Sequence, residues 1–240
     1  EYILRERKAT GTLPANGALV ETIVTTDMAK AIAKAYGVKL IEVLTGFKYI
    51  GEQIKFFKQQ NTYEYVFGLE ESYGCLAGTY ARDKDACVAV MMLCEVAAWC
   101  KSNGITLWDA MVSLYETYGY YKEGLETMTL KGMDGAEKIQ SMMNEMRNNP
   151  PKKIGAWDVL ALRDYKKDTR TEIASGKVTP TGLPESNVLY YELSDNAWCC
   201  VRPSGTEPKI KFYFGVKGTS LEDASEKLEG LRKAMTEKEA

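Results

Sequence analysis

The chain has 240 residues, 45% hydrophobic and 27% charged, with 31 basic and 33 acidic side chains and a formal net charge of −2. This is an ordinary globular composition, with apolar material for one large domain or two average ones. The near-neutral balance argues against recruitment of the whole chain by nucleic acid or an anionic membrane. The absence of histidine removes His-based triads and His metal sites, so acid–base work falls to Glu, Asp, Lys or Tyr.

The first eight residues, EYILRERK, read as a helix that begins without an initiating methionine or a cap, and no apolar signal-peptide core follows. The expectation is a piece of a longer protein. Residues 18–24 are β-rich. Thr26 or Asp27 can cap a helix over 28–36, which Gly37 ends. A strand over 38–44 leads into the Thr45-Gly46 turn, a helix over 47–58 and a third strand over 63–67. Thr45 is itself a candidate cap for that helix. Strand–helix alternation with short turns predicts a parallel sheet covered by helices. In such sheets ligands gather beyond the carboxyl ends of strands, where Thr45-Gly46 and Glu70-Glu71-Ser72 fall.

Asp83 or Asp85 can cap a long buried helix to about Ser102, ended by Asn103-Gly104, and another helix covers 106–118. The apolar run 86–99 is shorter than the ~20 residues of a membrane span, and Glu95 interrupts it. Residues 119–124 form a candidate domain junction and hinge. Beyond it lie a helix over 136–147, stopped by Asn148-Asn149-Pro150-Pro151, and β-like segments near Leu160 and over 188–193, 198–201 and 210–216. An amphipathic helix over 221–235 closes the chain. The predicted fold is an α/β three-layer domain with a mainly parallel sheet, followed by a smaller α+β domain with an antiparallel sheet. Lys166, Lys167 and Arg170 read as a solvated basic loop.

The six cysteines, at 75, 87, 94, 100, 199 and 200, form no C-x-x-C pair, which argues against zinc. Cys87 and Cys94 are expected to pack as small hydrophobes, and Cys199 and Cys200 to face opposite sides of a strand. Reduced thiols imply a cytosolic compartment. The four tryptophans, 99, 108, 157 and 198, are expected in cores.

Two segments carry candidate chemistry. Arg202-Pro203-Ser204-Gly205-Thr206-Glu207-Pro208-Lys209 gathers a guanidinium fork, two hydroxyls, an ammonium and a glycine whose backbone can turn N–H groups toward an anion. Those are the parts of a phosphate clamp, although a surface hairpin turn uses the same Pro, Ser and Gly. Glu70, Glu71 and Ser72 follow a strand. A carboxylate accepts hydrogen bonds from two neighbouring hydroxyls, as on a sugar, but an exposed acidic turn is the common alternative. Lys84, just beyond, can neutralise phosphate charge or simply pair with Asp83 or Asp85.

Four segments in order resemble the phosphoglucomutase and phosphomannomutase (α-D-phosphohexomutase) family. They are Thr45-Gly46-Phe47-Lys48-Tyr49-Ile50-Gly51, Gly68-Leu69-Glu70-Glu71-Ser72-Tyr73-Gly74, Arg82-Asp83-Lys84-Asp85, and the Arg202–Lys209 segment. The resemblance implies that Glu70 and Ser72, with Glu71 beside them, hold sugar hydroxyls. It also implies that Thr45, Gly46, Phe47 and Lys84 line the site, and that Arg202, Ser204, Gly205, Thr206 and Lys209 hold phosphate. Relatives often carry His where this chain has Tyr80, and sometimes where it has Tyr73. The family's phosphoserine lies in a Ser-His motif of the first domain, and its magnesium on an Asp-rich loop of the second. Neither motif occurs here. The resemblance is therefore to the third and fourth domains: residues 1–9 as the tail of a preceding-domain helix, 10–118 as a sugar-binding domain, and 119–240 as a phosphate-binding domain. Mg2+ with its ligands outside this chain, a hexose bisphosphate intermediate, a phosphosugar substrate and the N-terminal domains as partners all follow from it. The chain alone would be inactive. A non-catalytic sugar-phosphate-binding module, or mannose or pentose phosphate specificity, are the rival readings.

Overall fold

The computed structural model describes residues 1–130, 134–205 and 207–236. The chain divides into two compact units, Glu1–Gly119 and Tyr120–Ala240.

The first unit holds helix α1 (Tyr2–Ala9), strand β1 (Gly17–Thr22), α2 (Asp27–Tyr36), β2 (Lys39–Val43), α3 (Phe47–Gln60), β3 (Glu64–Leu69), β4 (Cys75–Ala77), α4 (Ala86–Ser102) and α5 (Leu107–Tyr118). The sheet order is β2-β1-β3-β4. Central β1 runs parallel to β2 and β3, and β4 returns antiparallel at the edge. All six residues of β1 are buried, as for a parallel strand covered on both faces. On one face Ala18 and Val20 meet Phe47, Ile50, Ile54 and Phe57 of α3, whose spacing forms one helical stripe. Helix α2 is capped by Thr26, whose hydroxyl accepts the Met28 N–H, and ends at left-handed Gly37. Helix α1 belongs to this unit through buried Leu4 and a groove it shares with α2 and α4.

Three expectations are corrected here. Helix α3 is preceded by Gly46, with no side-chain cap, so Thr45 does not cap it. Helix α4 is not buried: Cys100 alone is, while Val90, Met91 and Leu93 are each more than half exposed and Cys87 and Cys94 face outward. A helix apolar on nearly every side carries no stripe to mark its inner face. Trp108 is also exposed, at 59%. No single helix among the described residues is long and apolar enough to cross a membrane.

The second unit comprises β5 (Tyr120–Thr129), α6 (Gly135–Asn148), β6 (Lys153–Ile154), β7 (Trp157–Asp164), β8 (Thr169–Glu172), β9 (Val178–Thr179), β10 (Leu189–Leu193), β11 (Trp198–Pro203), β12 (Lys209–Gly218) and α7 (Leu221–Thr236). The sheet order is β5-β12-β11-β10-β7-β8-β9, antiparallel throughout, with β6 paired to β7. Ile139, Met143 and Met146 of α6 and Leu231 and Met235 of α7 share one core with Leu189, Tyr191, Val201, Phe212 and Phe214 of the sheet. The buried Arg147 guanidinium of α6 grips the Asp164 carboxylate of β7 at 3.0 and 3.2 Å and donates to Asn187 at 2.6 Å.

Residues 120–124, expected as a junction, lie within β5 and pair with β12. Gly124 there is a packing residue, since a Cβ would touch Leu228 at 3.2 Å. The break between units falls at Gly119, whose φ of 119° and ψ of 157° suit glycine alone. Arg170 is not part of a solvated basic loop: it sits in β8 and forks onto Glu192 at 2.7 and 2.9 Å.

Candidate functional site

In the first unit, β3 ends at Leu69 and β4 starts at Cys75, so Glu70–Gly74 is the tight connection of an antiparallel pair. The Glu70 N–H closes it by donating to the Gly74 carbonyl at 2.9 Å. Tyr73 adopts a positive φ of 68° and is 98% exposed. Glu70 is half-buried and Ser72 exposed. A Cβ on Gly74 would lie 2.4 Å from Glu70 Oε1 and 2.8 Å from Lys84 Cδ, so these two side chains converge over the glycine. Glu71 turns inward instead: its Oε2 accepts from the Thr22 hydroxyl at 3.0 Å.

Thr45 and Gly46 follow β2 at the same end of the sheet. Gly46 has a φ of 114°, and the first N–H groups of α3 have no side-chain cap, which leaves a helix N-terminus open to an anion. The Phe47 side chain belongs to the core, so its backbone is what the site can use. Lys84 Nζ lies 6.0 Å from the Phe47 ring centre and pairs with Asp83 at 3.2 Å. The Asp83 carboxyl is held below its ordinary value by the Lys84 amide and ammonium. Thr45–Phe47, Glu70 and Lys84 are thus gathered in one place from three stretches of sequence.

Sequence reasoning missed Thr22 and Thr25, and named Gly74 and Tyr80 without the contacts they make. Thr22 and Thr25 anchor Glu71, Gly74 makes room for Glu70, and Tyr80 donates to Asp85 at 2.6 Å. That last bond, with burial second, pushes the Tyr80 hydroxyl up to about 12, so it stays protonated near neutrality. Asp85 also accepts the Cys87 and Val88 N–H groups as the cap of α4. The ends of strands β1 and β3 were the available signal, but nothing local ties Thr22 to Glu71.

In the second unit, Arg202 and Pro203 end β11, Lys209 opens β12, and the intervening loop is the hairpin between them. The Ser204 N–H donates to the Lys209 carbonyl at 2.7 Å, and the Glu207 N–H donates to Ser204 Oγ at 3.3 Å. The Lys209 ammonium pairs with Glu207 at 3.1 Å. Arg202 is half-buried and faces Lys211 across the ladder. Its guanidinium has no hydrogen-bond or ion-pair partner among the described residues. Gly205 is exposed, with nothing within 4 Å of where a Cβ would stand. Thr206 lies outside the described residues. Among the described residues, no group of three or more Cys, Asp or Glu side chains is disposed to hold a metal ion.

Residues 2–118 match the family described as phosphoglucomutase/phosphomannomutase, alpha/beta/alpha domain III. The chain is 35% identical over 213 residues to the phosphoglucomutase of Staphylococcus aureus strain bovine RF122 / ET3-1, and 36% identical over 221 residues to that of strain N315. Each match covers 89% of this chain and 38% of the relative, so the chain spans well under half the relatives' length. Among solved structures, a putative phosphomannomutase from Thermus thermophilus has a TM-score of 0.54 at 15% identity. A phosphoglucomutase/phosphomannomutase family protein from Burkholderia thailandensis has a TM-score of 0.53 at 12% identity. These cover 98% of this chain and 39% and 40% of their own, and they establish likeness of fold.

Proposed function

We propose that this chain, which belongs to the phosphoglucomutase/phosphomannomutase family through residues 2–118, is part of an enzyme that interconverts hexose 1-phosphate and hexose 6-phosphate, with glucose as the hexose. The observation that carries this reading is the convergence of Glu70, Lys84 and the uncapped start of α3 at the carboxyl end of the sheet. The Glu70 carboxylate has two acceptor oxygens, enough for two adjacent sugar hydroxyls, and Ser72 beside it can donate or accept. Lys84 and the α3 N–H groups place positive charge next to that grip.

In this reading the Arg202–Lys209 hairpin holds the phosphate that is not reacting. The Arg202 guanidinium, without a partner among the described residues, offers a two-pronged donor that matches phosphate oxygens. Ser204, Thr206 and Lys209 supply further donors, and Gly205 leaves the backbone open to close approach. A carboxylate that binds two neighbouring hydroxyls suits a sugar that turns over between two half-reactions. The phosphoryl donor would be a serine, and a magnesium ion would supply charge neutralisation at the transferring group. Both would be held by the part of such an enzyme that this chain, at 38% of its relatives' length, does not span. Positioning and charge stabilisation dominate phosphoryl transfer, and this chain contributes the positioning. The six free thiols fit a reducing, cytoplasmic setting.

The test is an assay of the intact protein against glucose, mannose, N-acetylglucosamine and pentose phosphates, with magnesium and a bisphosphate activator. Turnover of glucose 1-phosphate above the others supports the proposal. Binding of sugar phosphates without turnover by the intact protein replaces it with the non-catalytic reading. Turnover by the 240-residue chain alone at the intact rate would overturn the division of labour.

A further inference from the structure

We infer that Glu71 is a positioning residue, latching the Glu70–Gly74 loop to the end of the central strand so that Glu70 and Ser72 face outward. The inference deepens the mutase reading above and rests on it for its catalytic consequence. Thr22 closes β1, next to β3, and is 1% exposed, while Thr25 follows at 9%. The Thr22 hydroxyl lies 3.0 Å from Glu71 Oε2 and 2.8 Å from Thr25 Oγ1. A carboxylate only accepts, so the single Thr22 proton points at Glu71. The Thr25 hydroxyl must then donate into Thr22 Oγ1, giving a directed chain from Thr25 through Thr22 to Glu71. A backbone bond from the Thr25 N–H to the Thr22 carbonyl, at 3.0 Å, fixes the two threonines relative to each other.

A second tie, from the Glu70 N–H to the Gly74 carbonyl, closes the loop on itself without fixing it to the sheet's interior. Glu71 supplies that attachment, from the middle of the three-residue Glu70-Glu71-Ser72 core. Side chains on either side of it are thereby left outward. Glu71 consequently leaves the set of sugar ligands and joins the groups that aim them. Because a misplacement of about 1 Å can cost roughly a hundredfold in rate, such a latch has catalytic weight without touching substrate.

The experiment uses the intact protein and compares Glu71→Ala, Thr22→Val, Thr22→Ser and the Glu71→Ala/Thr22→Val double variant. Two readouts are taken: kcat/KM on glucose 1-phosphate, and amide hydrogen exchange at Glu70. The expected result is a loss of roughly 10- to 100-fold in kcat/KM for each of Glu71→Ala and Thr22→Val. The double variant should be no worse than the poorer single, Thr22→Ser should be close to wild type, and exchange at Glu70 should accelerate in both impaired variants. A loss with Glu71→Ala but none with Thr22→Val would assign Glu71 to the substrate and overturn the inference. Unchanged exchange at Glu70 in Glu71→Ala would overturn it too, and this measurement does not depend on Thr22→Val folding. If the intact wild-type protein turns over no sugar phosphate, the mutase reading fails by itself, and the exchange result still decides the latch in either direction.

Discussion

At the scale of single residues, the Arg202–Lys209 hairpin lets folding demands be tested apart from the proposed binding role. Gly205 has open space where a side chain would stand, so the fold does not require glycine there. Gly205→Ala should leave the melting temperature unchanged yet weaken binding of glucose 6-phosphate to the intact protein, measured by calorimetric titration. Arg202→Ala should cost about 2–4 kcal/mol of that binding by removing a charge-assisted, two-pronged contact. Arg202→Lys should remain impaired, because an ammonium cannot reproduce the fork. Equal affinities across these variants would remove the hairpin from the site. Glu21 is a different kind of residue, 1% exposed on β1 and directly opposite Glu42 of β2. Burial, then the Glu42 charge, pushes its carboxyl well above the ordinary value, and the Thr26 N–H that donates to it is 3.4 Å away. The native state therefore keeps a proton that the unfolded chain gives up near pH ~4.3. Its contribution to stability is fully present below that pH and is lost as pH rises through the raised native value. Glu21→Gln should flatten this fall and raise the melting temperature at neutral pH. A melting temperature lowered at neutral pH would show that the charged form is accommodated.

At the scale of elements, helices α4 and α6 carry opposite lessons. Helix α6 is read from its sequence as a helix over 136–147, and its Ile139, Met143 and Met146 pack into the core. What the pattern does not reveal is Arg147, which closes the same face by pairing with Asp164 of β7 inside the protein. Removing one member of a buried pair strands the other charge. Asp164→Ala should therefore destabilise the second unit by about 3–5 kcal/mol, while a joint Arg147→Met/Asp164→Leu replacement should cost much less. Urea titration distinguishes the two. Helix α4 reads as a core helix by composition, yet Val90, Met91 and Leu93 stay exposed in this chain. Leu93→Glu should accordingly change stability by no more than about 0.5 kcal/mol, as for surface positions generally. A loss of several kcal/mol would put that helix back in a core.

At the scale of the whole molecule, the chain is two units with separate cores, one built under α3 and one under α6 and α7. Each should unfold as its own cooperative transition, so calorimetry should need two steps, and Asp164→Ala should shift only one of them. A single transition moved as a whole by that substitution would contradict independent units. The alternation of strand and helix before Gly119, and the hairpin order after it, were legible because both are local: periodicity, turns and capping act over a few residues. So was the turn between β11 and β12, since Arg202 to Lys209 are neighbours in sequence. The tertiary structure alone decided the rest. It brought Thr22 to Glu71 across 49 positions and set Glu70 and Lys84 over Gly74. It also placed the inward-facing Arg147 against Asp164, and left Val90, Met91 and Leu93 of α4 exposed in this chain. These are contacts between elements, set by how strands order in a sheet and which helix face the sheet can cover. No short window of sequence contains both partners of such a contact.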